Sequence, residues 1–259
     1  MNLKEYLDMS LSEREAQHIE NVYNSILESM KELSGRTYTK VVSQAIDDLI
    51  DFLIEKLSSE GHSLLLCTGK IFGEDYIFAH SLDVCLISIR IGLRLKFEKE
   101  RLKGLGFLAL THAGKDIGFP EEPLKKIIHD KEMDEIIRLA DVYDALSHPP
   151  AYRHSMLPRE TLETIIKSDR FFDRRLIKIL LDELSFYPKG SWVQLSSNER
   201  GKVIKINKGL LLRPIVEVFM DWEGNYLEKK KIVDLAKNNS IYVLRPLTEE
   251  DIKHITRKE

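Results

Sequence analysis

The stretch FYPKGSW, Phe186–Trp192, divides the sequence into two patterns. Before it, apolar residues recur every three or four positions, the period of an amphipathic helix. After it, they alternate or run in short β-branched bursts separated by Gly, Asn and Asp. Pro188 and Gly190 punctuate the change, as such residues do between elements. The fold class expected from this is mainly α: a helical bundle followed by a small β-barrel or curled-sheet domain.

Working back from the junction, the spacing predicts helices from about Asp173 to Phe186, Pro158 to Lys167 and Met133 to Leu146. It predicts others from Lys99 to about His112 and from Asp75 to about Leu95. Two more amphipathic helices lead the chain. In one, Ile19, Val22, Tyr23, Ile26, Met30 and Leu33 share a face. In the other, Val42, Ala45, Ile46, Leu49, Leu53 and Leu57 do. Working forward, SWVQL, GKVIKIN, PIVEVFMD, KKIVDL and IYVLRPL read as five short strands, too few for a large sheet. The boundaries that follow are 1–74, an N-terminal helical segment packing on the core; 75–186, a helical domain; 187–248, a small β domain; and 249–259, a charged tail.

The chain has 259 residues, 43% hydrophobic and 31% charged, an ordinary globular composition that can bury a sizeable core. A net charge of −3 argues against global attraction to nucleic acid or anionic lipid. No uninterrupted apolar run is long enough to span a bilayer. Cys67 and Cys85 have no metal-type or redox-type spacing. The expectation is a cytoplasmic protein with no nucleic-acid or membrane partner.

Four positions stand apart from core patterning. His80 lies in YIFAHSLDV, His112 closes LALTHAG, and Asp141 lies in RLADVYDAL, followed three residues later by Asp144. A histidine and a carboxylate from separate helices can converge inside a bundle to hold a metal. Spacing alone leaves open that both histidines are satisfied core residues. It equally leaves Asp141 a surface acid, or one paired with Arg138 or Arg153.

YIFAHSLDVCLISIRIGLRL, LKGLGFLALTHAGKDIGFPEE and IIRLADVYDALSHPPAYRHSMLPRETLETI resemble consecutive blocks of the HD-GYP domain. This is a subclass of the HD phosphohydrolases that hydrolyses cyclic di-GMP. FDRRLIKILLDELSFYPKGSWVQL and the strands after it resemble the helix and β appendix that follow this domain in many members. The resemblance implies an HD-domain-like bundle in 75–186. It also implies that His80, His112 and Asp141 match three metal ligands: the first His, the His of an adjacent His-Asp pair, and a late Asp.

The departures are as informative as the matches. Where the family has the Asp that bridges two metals, this chain has Ala113. Lys115 and Asp116 follow; Asp116 is a candidate substitute ligand, and Lys115 could place a positive charge where a metal once sat. The family's long segment before the late Asp, with its extra histidines and Gly-Tyr-Pro, is replaced by a short link from Pro120 to Asp141. His129-Asp130 within that link reads as a solvated helix end.

The function implied is a catalytically degenerate HD-GYP-like signalling protein, acting by binding or self-association without the binuclear metal site. The alternatives are a mononuclear metal-dependent phosphohydrolase of reduced activity and a non-hydrolysing receptor for cyclic di-GMP or another nucleotide. No resident cofactor is expected beyond one weakly bound divalent metal (Mn, Fe, Mg or Zn). A homodimer or protein partner is expected, docked where the lost segment would uncover apolar faces: the Asp75–Leu95 helix, and Phe119 to Ile128.

Overall fold

The computed structural model describes residues 11–34, 40–59, 65, 75–113, 130–148, 156, 158–168, 171–184, 186–187, 189–207, 209–210, 212–247 and 251. Seven helices precede five strands: α1 Leu11–Leu33, α2 Lys40–Ser59, α3 Tyr76–Arg94, α4 Lys99–Leu110, α5 Lys131–Ser147, α6 Pro158–Lys167 and α7 Arg174–Leu184, then β1 Trp192–Leu195, β2 Arg200–Lys205, β3 Ile215–Met220, β4 Tyr226–Asp234 and β5 Val243–Pro246. Two compact units emerge. The first takes in residues through Ser155 and Ser168–Ile177; the second takes in Met156–Lys167 and Lys178–Glu259.

In the first unit α1 and α2 are amphipathic, as their spacing requires. Tyr23, Ile26, Leu27 and Met30 of α1 are buried, as are Val42, Ile46, Ile50, Leu53 and Leu57 of α2. The central element is α3, buried on nearly every side from Ala79 to Gly92. By length and composition it could cross a membrane, with mean hydropathy 1.5, but 72% of that window lies inside the protein. A helix apolar all round is what a bundle needs at its centre. The open apolar face expected on this helix is therefore absent, because its neighbours cover it. The second expected face, Phe119 to Ile128, lies outside the described residues.

The α3–α4 hairpin turns within a few residues. Lys96 adopts a left-handed conformation (φ 60°), the Phe97 N–H donates to the Gly92 carbonyl, and the Lys96 N–H donates to that of Leu93. This is the paired bonding of a Schellman cap, which ends a helix and reverses the chain. Lys99–Leu110 stops short of His112 because Thr111 forms the C-cap. The helices then run antiparallel and very close. A Cβ on Gly92 would meet Leu102 at 2.8 Å and Leu105 at 2.9 Å, and one on Gly106 would meet Ile50 at 3.0 Å. Further along, the Cys85 thiol reaches the Gly106 carbonyl. This register carries the N-terminal end of α3 towards the C-terminal end of α4.

In the second unit the strands form one antiparallel sheet of order β4-β3-β2-β1-β5. Val193, Leu195, Val203, Val216, Val218, Val233, Leu235 and Val243 pack with Tyr187 on its inner face. Each such burial is worth about 1.5–3 kcal/mol against exposure. Register shifts at Gln194/Leu195, Arg200/Gly201, Val203/Lys205 and Val218/Met220 bend the strands. The sheet is nonetheless open, which corrects the barrel among the expected forms. Closure would require β4 to pair with β5. β5 has only four residues, and the edge strand β4 exposes Glu228, Lys229, Lys230 and Lys231. Charge of that kind protects an edge from pairing.

Candidate metal centre

His80, His112 and Asp141 converge. His80 enters from the first turns of α3, Asp141 from mid-α5, and His112 from the turn just past α4. The two Nε2 atoms are 3.1 Å apart. Asp141 Oδ1 is 3.2 Å from His80 Nε2 and 3.8 Å from His112 Nε2. Metal–ligand bonds of about 2.0–2.2 Å place neighbouring donors roughly 3–3.5 Å apart. The three atoms therefore fit the first coordination shell of one ion, with positions left open.

The other ring nitrogens explain why these donors point inward. His112 Nδ1 lies 2.7 Å from the Ala109 carbonyl. A carbonyl only accepts, so Nδ1 carries the proton and Nε2 keeps its lone pair. His80 Nδ1 donates to Asp144 Oδ2 at 2.7 Å. Asp144 is 1% exposed and holds the ring from behind, in the carboxylate–histidine arrangement that orients metal ligands. Tyr76 stacks on the same ring.

Two imidazole lone pairs and a carboxylate cannot face one another at 3 Å without a positive charge between them. Without metal, a proton on His80 supplies it. Burial opposes that charge, but Asp141 and Asp144 outweigh burial and push the His80 pKa up to about 9. His112 moves the other way, lowered by burial and by the neighbouring His80 charge. Asp141 is held below the usual carboxylate range by its bond to His80, against a smaller effect of burial. A divalent ion would take the place of that proton.

Ala113 directly follows His112, and its side chain offers no donor atom. The candidates Lys115 and Asp116 lie outside the described residues. Asp130 is the N-cap of α5, accepting from the Met133 N–H at 3.0 Å and pairing with Arg101 at 2.7 Å; it has no part in the site. Arg138 is not the partner of Asp141, for it donates to the Phe171 carbonyl. The site opens into a cleft of about 330 Å³ lined by Leu108, His112, Asp134, Ile137, Arg138 and Asp141.

Sequence reasoning passed over Asp83, Asp144 as an orienting group, and His148. A second set of ligand-type atoms from these three gathers behind His80. The available signal was spacing. Asp83 follows His80 by three residues and His148 follows Asp144 by four, so each pair shares a helix face.

Residues 192–255 match the family described as a KOW domain associated with HD domain. Over 255 residues the chain is 21% identical to a cyclic di-GMP phosphodiesterase of Pseudomonas aeruginosa, an alignment covering 76% of this chain and 62% of that protein. Over 122 residues it is 28% identical to a cyclic di-GMP phosphodiesterase of Borreliella burgdorferi, covering 46% of this chain and 30% of that protein. The chain thus spans less than two thirds of either relative. No solved structure gives a significant match. These similarities support the HD-domain family that the sequence resembles.

Proposed function

We propose that this HD-domain chain is a signalling protein that keeps a one-cation centre and has lost two-metal hydrolysis of cyclic di-GMP. It acts by binding or by self-association. The observation that carries the reading is Ala113, placed directly after His112 at the edge of a three-donor set. His80, His112 and Asp141 would hold the ion. In a two-metal site the ions generate the attacking hydroxide and stabilise both oxygens of the displacement. A methyl group cannot bridge two ions. What this chain's own residues do is narrower. Asp144 fixes the His80 ring, the Ala109 carbonyl fixes His112, and the cleft beside Arg138 admits an anionic ligand. The relatives' names make cyclic di-GMP the first ligand to try. Association is supported by an apolar cleft of about 680 Å³ between α1 and α2, lined in part by Val22, Ile26, Leu33, Leu49 and Phe52.

The test is turnover of cyclic di-GMP by purified protein supplied with Mn²⁺ or Fe²⁺, beside equilibrium binding and sedimentation. The expected result is binding or a dimer without conversion to linear dinucleotide or GMP. Robust turnover abolished by His112→Ala or Asp141→Asn would overturn the reading in favour of a mononuclear phosphohydrolase. That alternative has one observation of its own, the opening of the three-donor set onto a cleft carrying Asp134 and Arg138.

A further inference from the structure

Arg138 and Asp141 both line the cleft that opens from the three-donor set, three residues apart on α5. The guanidinium of Arg138 is held in place. Its Nη2 donates to the Phe171 carbonyl at 2.8 Å, and the group lies over the Phe172 ring, 5.0 Å from the centroid. The segment carrying these two residues is itself fastened to α5. Glu135 accepts from the Asp173 N–H at 2.6 Å, and Glu132 pairs with Arg175. Among the described residues no carboxylate pairs with Arg138, whereas Arg101, Arg175 and Arg245 each meet at least one. A guanidinium has five N–H donors, and the Phe171 carbonyl occupies one of them.

We infer that Arg138 is a phosphate-contact residue, which holds a phosphoryl group between its guanidinium and the cation of the three-donor centre. The inference rests on the one-cation reading above and adds to it the residue that selects the ligand. Residues three apart on a helix are neighbours on one face, so an anion beside the ion lies next to the arginine as well. The planar fork of a guanidinium matches two oxygens of a phosphoryl group. Because the Phe171 carbonyl and the Phe172 ring already fix that fork, little side-chain freedom is left to lose on binding. Charge sets the order of events. Asp134 and Asp141 line the same cleft and outnumber its one arginine, so the cleft attracts an anion weakly until the ion is in place. Ion and anion should then bind together, each strengthening the other to the same degree. Inorganic phosphate, a nucleoside monophosphate and a cyclic dinucleotide all present the oxygens that this arrangement recognises.

Isothermal titration of the full chain with inorganic phosphate, GMP and cyclic di-GMP tests this, with saturating Mn²⁺ and again in chelator. The Mn²⁺-loaded wild type should bind one or more of the three, and chelator should weaken that binding. Which is bound tells free phosphate, monoester and diester apart. Arg138→Gln should weaken it about ten- to a hundredfold, the range for hydrogen bonds to a charged group. Arg138→Lys, which keeps the charge and loses the fork, should weaken it by less. Mn²⁺ affinity measured without the anion should not fall in either variant, because Arg138 gives the ion no donor atom. Glu135→Ala removes a neighbouring tie between α5 and the same segment, and should leave anion affinity unchanged. If Arg138→Gln binds as tightly as wild type, or Glu135→Ala weakens binding as much as Arg138→Gln does, the inference falls. It falls too if the Mn²⁺-loaded wild type binds none of the three. The two readings fail differently. Turnover of cyclic di-GMP would defeat the loss of hydrolysis alone, whereas Mn²⁺ uptake with anion binding insensitive to Arg138→Gln would defeat this inference alone.

Discussion

The cores of the two units are built from opposite materials. On α3 and α5 the helical unit buries His80, Asp83 and Asp144 among its leucines and isoleucines. The inner face of the sheet buries valines, leucines and a tyrosine, with no charge among the residues of that cluster. The difference teaches where chemistry sits. Apolar burial stabilises both units, but among the described residues the clustered histidines and carboxylates whose charges would favour a cation are in the helical unit. Its stability should answer to metal and to pH above neutrality, where His80 titrates, more strongly than that of the sheet, whose shifted carboxylates titrate in acid. Both tryptophans, Trp192 and Trp222, lie in the sheet unit. Tryptophan fluorescence therefore follows that unit, while far-UV circular dichroism follows mainly the helices.

The largest effect should come from Asp144→Ala. It strands the buried His80 imidazole and the partly exposed His148, which now share one carboxylate, and removing one partner of a buried pair costs about 3–5 kcal/mol. The unfolding free energy read by dichroism in urea should fall by that amount while that read by fluorescence stays. Coincident shifts would show that the two units unfold as one and would end the contrast.

Next is pH. Holding the His80 pKa up near 9 in the folded protein, against 6.5, means that the folded state binds the proton more tightly. The resulting stability is fully present below about pH 6.5 and is lost as pH rises towards 9, on the order of 3 kcal/mol in chelated protein. His80→Gln should flatten the dichroism curve across that window. Saturating Mn²⁺ should replace the fall with metal affinity that strengthens as pH rises. A wild-type curve as flat as that of the sheet would contradict the charge placed between His80 and Asp141.

In the sheet the sensitive position is apolar. A Cβ on Gly201 would lie 2.4 Å from the Glu217 carbonyl oxygen, so β2 and β3 would have to part. Gly201→Ala should cost about 2 kcal/mol, in the range for overpacking, and should appear in the fluorescence transition alone. The smallest effect belongs to Ala113→Asp. Ala113 is not buried, so stability should change by less than about 0.5 kcal/mol. On the proposed function, this variant should not hydrolyse cyclic di-GMP, because residues that act as a unit are not restored one at a time.

Much of this architecture was legible in residue spacing. The period near 3.6 found the apolar faces of α1 and α2 and located the helices after them to within a few residues. The alternation after Trp192 located all five strands, though β4 starts earlier than its KKIVDL core suggested. Resemblance brought forward His80, His112 and Asp141. Spacing could not choose between a closed barrel and an open sheet, because closure depends on whether two distant edges pair. Bulges and the charged edge of β4 decided that. Nor could spacing reveal that Asp144 serves two histidines, or that Tyr23 caps Asp83 from α1. A local pattern records which face of a helix is apolar. Which polar atoms then meet within 3 Å depends on how far one helix slides along another. In this chain that register is set where Gly92 and Gly106 let α3 and its neighbours pack without intervening side chains.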